Sequence, residues 1–508
     1  MKAWFLSLVL LLGTSIDARA TTLTTNEIII TPDSGHWYNS LNTSSPTAGT
    51  LFTANDGSQW ACFGFSPPGQ PSNPPRFRIA HITNGVSTII NPGLSDWSTT
   101  DQHNACSIAI DTSGFIWTCY DMHTNALNCY KSNTVNNASA FTKVTTFVNS
   151  TVEASITFPL LFTNPANGAL YFTFEKGGGA NGLQYFYCYN VNTTTWSGCS
   201  GTATNGQMFN NTTIGGGTTF LSGLPQWDKT TGYLWFKWEW SQSVTPFWNC
   251  GDTAGGGVPC GPSLLGWTGS GFINLAGTAQ TMPLQQTGSP PVVTVHANIG
   301  PSYHVLDSIS IDSNENLYMP YIDVDGSGFL QVYVIVANLH TGTVGSAIQL
   351  TSNNSAFNPP ASAGWLGINP NTCTTAPYSC GSYTQAVTAI AVGSCAHVTY
   401  ADIFNWGAGQ ADFYSCNAFS TNTFQYITTR FSPNQIIFPD AVKLYTQGTI
   451  SYMFIADNDV QFAFSTVVGN GVVGSTTPSV DLGKLVLVTV GDNPSTVTNA
   501  TVTNAVIQ

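Results

Sequence analysis

Seven times along this chain a polar turn, glycine-bearing in most cases, is followed by a run of strand formers with aromatic side chains at alternate positions. The clear cases are "NDGSQWACF" from Asn55, "DTSGFIWTCY" from Asp111, "NPANGALYFTF" from Asn164, "DKTTGYLWFKW" from Asp228 and "DSNENLYMPY" from Asp312. Looser copies are "GSCAHVTY" from Gly393 and "TQGTISYMF" from Thr446. A tight turn between two period-2 runs is a hairpin signal, because alternation puts one side of each strand against a core. Glycine supplies the positive φ of such turns, and Asp or Asn bonds its own backbone there. The units recur roughly every 50 to 85 residues, enough for a four-stranded sheet and its loops. No stretch carries a capped 3.6-residue apolar period. The expected fold is therefore all-β, a seven-bladed β-propeller forming a single domain with long loop insertions, since that architecture leaves only short edges exposed. A pair of β-sandwich domains is the structural alternative.

What such a protein can meet follows from its charge. Only 7% of residues are charged and the net charge is −13, which argues against nucleic acid and anionic membrane surfaces as partners. At 42% hydrophobic and 12% aromatic, the chain can fill a large core. Residues 1–20, "MKAWFLSLVLLLGTSIDARA", combine an early lysine, an apolar run and a small-x-small end, and read as a signal peptide. The remainder, 21–508, is expected to be the propeller domain, secreted and extracellular, with no later run long enough to span a membrane. Twelve cysteines then read as disulfides, with Cys188 near Cys199, Cys250 near Cys260, Cys373 near Cys380 and Cys395 near Cys416. Sequons at Asn42, Asn137, Asn149, Asn192, Asn210, Asn211, Asn353 and Asn499 fit a glycoprotein if the host is eukaryotic.

Chemistry concentrates at "DQHNACSIAIDTSGFIWTCYDMHTNALNCYKS", residues 101–132. With the turn taken as Asp111 to Gly114, antiparallel pairing sets position 103 opposite position 122. His103 and His123 then lie at one end of the hairpin, with cross-strand neighbours about 5 Å apart. Strict alternation puts them on opposite faces, so a one-residue bulge is needed to bring both rings to one ligand. The same register faces Cys106 with Cys119, whereas a second hairpin faces Cys119 with Cys129, and only one of those bonds can form.

These residues resemble the BNR-repeat propeller family that contains secreted polysaccharide lyases, the ulvan lyases among them. The family carries a similar Asp-x-His-Asn run, an Asp-x-x-Gly turn, a Met-His pair and a Leu-x-Tyr-x-x-Ser ending. Here these are Asp101, His103, Asn104, Asp111, Gly114, Met122, His123, Leu127, Tyr130 and Ser132. The resemblance runs over about residues 35–340. It implies β-elimination on a uronate-containing polysaccharide: a base removes the C5 proton, an acid assists O4, and a cation offsets the enolate-like charge. On that resemblance His103 and His123 are the proton-transfer candidates, imidazole titrating nearest neutrality. Two departures are visible. The family's Thr-Tyr-Pro tyrosine falls on Phe158, which has no hydroxyl, and its arginine falls on Glu175, with Lys176 adjacent as a replacement cation. Three readings stay open: a rearranged lyase, a lyase for another polymer, and a non-catalytic glycan-binding propeller.

Asn104 and the tryptophans of "LWFKWEW" complete the candidate substrate contacts. Trp238 and Trp240 share one face there, and an exposed indole makes a sugar-stacking platform, although core packing competes for each. A glycoside hydrolase needs two carboxylates about 5 to 9.5 Å apart, which Asp101, Asp121, Glu175 and Glu239 can supply without a motif. A sialidase is a poor fit, because after residue 20 only Arg76, Arg78 and Arg430 remain to hold a carboxylate. No cofactor is expected and no metal ligands are assigned; a structural metal, known in some lyases of the family, cannot be carried onto particular residues. The expected partner is an acidic polysaccharide.

Overall fold

The structure is a computed structural model. It describes residues 24–29, 49–65, 76–98, 106–177, 183–210, 217–221, 225–242, 263–284, 309–324, 330–352, 387–401, 410–428, 450–456, 467–468, 472–473 and 484–491.

Each repeated turn is built from its own side chains. Asp111 Oδ1 accepts from the backbone N–H groups of Ser113 and Phe115, and Oδ2 accepts from Trp117 Nε1 at 2.9 Å. Asp312 repeats the pattern with Asn314, Asn316 and the Tyr318 hydroxyl, the last at 2.8 Å. Asp228 caps Thr230 and Thr231 in the same way. An acidic side chain thus satisfies the turn's donors while an aromatic six residues on locks it to the next strand, in two of the three cases. That is why the motif recurs: it supplies hairpin geometry locally, before any long-range packing.

From these hairpins grow seven antiparallel sheets of three to six strands and one two-stranded ribbon among the described residues. The first sheet is a meander of Leu51–Thr53, Gln59–Phe65, Arg76–Thr83 and Val86–Ile90. The second holds Cys106–Ile110, Ile116–Tyr120, Cys129–Thr134 and Asn137–Val144. The third runs Ile156–Thr163, Leu170–Lys176, Leu183–Asn190 and Thr195–Gly198, with His123–Asn125 added beside its first strand. The fourth is built on Leu234–Gln242 and Ser263–Trp267, the fifth on Asn316–Val324 and Leu330–Asn338. The sixth contains Val387–Val392, Cys395–Ala401, Gln410–Ser415 and Thr423–Thr428. In the last, Thr24–Ile29 pairs with Lys484–Gly491, which pairs with Ile450–Ala456. Apart from a 3-10 turn at Thr204–Gly206, no helix occurs among the described residues, so none there is long and apolar enough to cross a membrane.

The first six sheets pack face to face in succession, which buries both faces of inner strands such as Cys106–Ile110, Ile116–Tyr120 and Ile156–Thr163. One core joins the first three sheets, with Phe77 stacked on Tyr120 at 4.2 Å. A second joins the third to the fourth through Phe186 and Phe236, 5.3 Å apart. A third sets Trp235 and Leu264 against Leu317 and Met319, and a fourth sets Tyr318 and Val334 against Ala389 and Val398. Inner strands of neighbouring sheets are also tied by polar bonds: Ser107 Oγ accepts from Leu161 N at 2.7 Å, and Ser310 Oγ from Ala391 N at 2.9 Å.

Four disulfides form among the described residues. Cys188–Cys199 and Cys395–Cys416 follow the short spacings. Of the two partners weighed for Cys119, Cys129 takes it, directly opposite across a strand pair. Cys106 instead bonds Cys62, joining the second sheet to the first. The expected register is also corrected. The turn closes from Asp111 N to Phe115 O and so is one residue longer than Asp111 to Gly114. Cys106 consequently pairs with Tyr120, and Ser107 with Cys119. Cys250, Cys260, Cys373 and Cys380 lie outside the described residues, as do residues 1–20.

Candidate functional site

The first-hairpin turns of the third to sixth sheets, at Pro165, Asp228, Asp312 and Gly393, line one shared cavity. The opposite ends of the same strands therefore share the other pole, and the residues singled out by sequence in the third sheet lie there. His123, Phe158, Glu175 and Lys176 are all at that end.

How His123 reaches it is unexpected. Its strand follows Tyr120 in sequence but leaves the second sheet and pairs with the first strand of the third. Asp121, at φ 57°, begins the departure; its Oδ2 accepts from Ser98 N at 2.6 Å, and its carbonyl from Asn125 Nδ2 at 3.2 Å. Thr157 Oγ1 then accepts from Thr124 N at 2.9 Å, stitching the strand to its new neighbour. Thr124 at φ 65° and Phe158 at φ 53° are left-handed as well. A β-branched and a bulky aromatic residue in that region each cost about 1–3 kcal/mol, and such strain gathers where a site must hold side chains in one arrangement. Phe158 falls in the register shift between Thr157 and Leu160, a bulge that re-aims the strand end. Its ring lies at 27° to the His123 imidazole, 6.1 Å away.

Across this strand end runs a row of polar side chains. Thr157 is the register partner of His123 on one side and of Glu175 on the other, and Glu175 is the partner of Gln184. Directly opposed residues in regular register point to the same face, so the hydroxyl, carboxyl and amide of Thr157, Glu175 and Gln184 stand side by side, about 5 Å apart, and His123 joins Thr157 across a register shift. Thr157, Glu175 and Gln184 are buried and His123 is half-buried. The other face at this end carries Ile156, Phe174 and Tyr185 of the apolar core, with Lys176 opposite Ile156.

Glu175 is 1% exposed, and neither carboxyl oxygen has a hydrogen-bond partner among the described residues. Burial alone pushes its pKa well above the usual carboxylate range, because the ionised form finds no compensation there. Lys176, next along the strand, is half-buried opposite Ile156. Trp238, a candidate sugar platform, is 1% exposed and packs at 5.2 Å from Phe209, so its ring offers no face to solvent. Trp240 pairs through its backbone with Thr219 in the same strand; its side chain, like His103, Asn104 and Asp101, is outside the described residues. No three His, Cys, Asp or Glu side chains gather as metal ligands among the described residues. Thr157 and Gln184 were not singled out by sequence, although each is a polar residue breaking an aromatic strand on the face shared with Glu175.

Residues 86–245 match the model of the BNR repeat-containing family, a stretch that includes His123, Phe158, Glu175, Lys176 and both tryptophans. The resemblance read from residues 101–132 is met by that match. No curated protein matches the chain. Among solved structures, the polysaccharide lyase Uly1 superposes with a TM-score of 0.56 over 91% of this chain and 98% of its own, at 11% identity. A PL25 ulvan lyase gives 0.53 over 79% of this chain and 86% of its own, again at 11%. The same type of enzyme bound to -[GlcA(1-4)Rha3S]- gives 0.52, covering 78% and 86% at 11%. The chain is thus all-β with a BNR-repeat segment and the fold of these polysaccharide lyases.

Proposed function

We propose that this is a secreted, seven-bladed β-propeller of one domain, its last sheet closed by Thr24–Ile29, that acts as a polysaccharide lyase on a uronate-containing polymer. The observation carrying this reading is the polar row led by His123, set by strained backbone at the strand ends of the BNR-matched segment. The solved relative that holds a glucuronate-containing oligosaccharide supports an acidic polysaccharide as the partner, and the four disulfides suit an oxidising, extracellular setting.

In the reaction, a histidine of the His103/His123 pair takes the C5 proton. The freed electron pair forms the C4–C5 double bond, and the C4–O4 bond breaks with a proton delivered to O4 by the second histidine. Lys176 enters, on the sequence resemblance, as the cation that steadies the enolate-like intermediate, and its register opposite Ile156 requires it to reach round the strand end to do so. His103, Asn104 and Trp240 enter as proposed contacts on the sequence resemblance alone. A second reading, a glycan-binding propeller without catalysis, is favoured by Phe158, whose ring stands where the family's tyrosine would bring a hydroxyl.

Ulvan, pectic homogalacturonan and glucuronan, each incubated with the protein, separate the two. A lyase generates the ultraviolet absorbance of an unsaturated uronate, and His123→Ala lowers its rate about 100-fold or more. A binding propeller retards the polymer in an affinity gel and produces no absorbance. A variant that cleaves at the wild-type rate removes His123 from the mechanism.

A further inference from the structure

The cavity ringed by the first-hairpin turns takes no part in the chemistry at His123, which lies at the opposite strand ends. Its volume is about 210 Å³, below the roughly 300–1,000 Å³ of pockets that hold drug-sized ligands. That is room for one sugar ring and not for two. Trp227, Ile311 and Val392, each half-buried, give the lining an apolar wall. The indole Nε1 of Trp227 is sealed from water and has no hydrogen-bond partner among the described residues, so the ring offers the cavity carbon surface rather than a donor. Lys229, Thr230 and Ser313 are exposed members of the same lining, so the cavity meets solvent at an ammonium and two hydroxyls. The buried carboxylates of Asp228 and Asp312 complete it. A carboxylate has places for about four donors. Asp312 receives four, from Asn314 N, Asn316 N, Asn316 Nδ2 and the Tyr318 hydroxyl. Asp228 receives three, from Thr230 N, Thr231 N and the Thr231 hydroxyl, and so keeps one place for a guest. The frame is preformed: Ser313 N donates to Gly393 O at 2.6 Å and Ala391 N to Ser310 Oγ at 2.9 Å, which fastens the turns of the fifth and sixth sheets together.

We propose that this cavity is a second carbohydrate site, which takes one uncharged sugar ring at the end of a glycan chain. The C–H face of the ring lies on Trp227, one hydroxyl donates to Asp228, and the outer hydroxyls exchange hydrogen bonds with Thr230 and Ser313. A space for one ring admits a chain end and excludes a residue within the chain, whose two neighbours have no room. Two carboxylates against one lysine disfavour a uronate here, so an acidic sugar is turned away by like charge. The two poles of the molecule thus differ in what they take, and neither depends on the other. A protein that holds neutral chain ends at one pole and an acidic polymer at the other grips a mixed polysaccharide gel more tightly than either contact does alone.

The test is saturation-transfer NMR and titration calorimetry on the intact protein, with the methyl glycosides of glucose, galactose, mannose, rhamnose, xylose and N-acetylglucosamine. At least one is expected to bind in the millimolar range, and about a tenfold excess of glucuronate is expected not to displace it. A disaccharide carrying the bound sugar at its non-reducing end is expected to bind at least as well. Trp227→Ala is expected to weaken binding about tenfold or more, through loss of the stacking face. Thr230→Arg fills the mouth from an exposed position, and is expected to abolish binding with the melting temperature unchanged. His123→Ala keeps the wild-type affinity for the neutral sugar. Failure of all six glycosides to bind, or binding that survives Thr230→Arg, overturns the proposal. So do displacement by glucuronate, a disaccharide about tenfold weaker than the glycoside, and loss of binding in His123→Ala. None of these sugars is a substrate for β-elimination, so the lyase reading stands or falls separately on the uronate absorbance.

Discussion

Replacing Cys62 and Cys106 together by alanine removes the covalent tie between the first and second sheets while leaving two small apolar residues in the core. The bond closes a loop with a sequence separation of 44, whereas Cys119–Cys129 closes one of 10. The loop-closure entropy each removes from the unfolded chain corresponds to about 4 kcal/mol for the first and about 2.7 kcal/mol for the second at 25 °C. Both pairs are fully buried, so differences in solvation largely cancel. For a chain of 508 residues unfolding as one unit, about 4 kcal/mol lowers the melting temperature by about 4 °C. Guanidinium titration of the two double-alanine variants, followed by tryptophan fluorescence under non-reducing conditions, measures both losses. The Cys62/Cys106 variant is expected to be the less stable by about 1.3 kcal/mol. The reverse order, or a loss below about 1 kcal/mol for the longer loop, would refute the idea that this bond acts through the unfolded chain.

Two further outcomes follow from buried carboxyls. The folded Glu175 carboxyl titrates above its ordinary value of 4.5, so its contribution to stability is fully present below that pH and is lost as pH rises toward the folded value. Glu175→Gln is therefore expected to gain on wild type by about 1.4 kcal/mol per pH unit above 4.5, until the folded carboxyl ionises; parallel stability curves would contradict this. Asp111→Ala strips three donors of their acceptor and Lys131 of the carboxylate 3.7 Å away. We expect a loss of about 3–5 kcal/mol in denaturant unfolding, against about 1–2 kcal/mol for Trp117→Phe, which removes one of those bonds.

What could be read in advance was what is encoded locally. The turns at Asp111, Asp228 and Asp312 were legible because each aspartate bonds residues within a few positions of itself. The register was displaced by one residue because the turn closes on Phe115, whose N–H bonds Asp111 Oδ1 and whose carbonyl accepts from Asp111 N, rather than on Gly114, and no residue type announces that choice. The transfer of His123–Asn125 to the next sheet was invisible for a stronger reason: it is held by Thr157, more than thirty positions away. Cys62–Cys106 was missed likewise, since it joins two sheets rather than two strands of one hairpin. Glu175 was legible as a position but not as a chemical species. Read in sequence it is an anion where a cation is wanted, and only its burial, which raises its pKa, shows how unfavourable that charge is there. Trp238 illustrates the opposite limit, an aromatic whose value as a platform is decided by the sheet that packs over it.

Thr24–Ile29 and Lys484–Gly491 are hydrogen-bonded neighbours, although almost the whole polypeptide lies between them. On the ribosome the earlier of these strands must wait, with its edge unsatisfied, until the later one has emerged. A pairing of such long sequence separation forms slowly, since so much chain entropy is surrendered before any contact is gained. This pairing is thus a late event that waits for Lys484–Gly491, and a waiting β-edge of this kind is a target that a holding chaperone would serve.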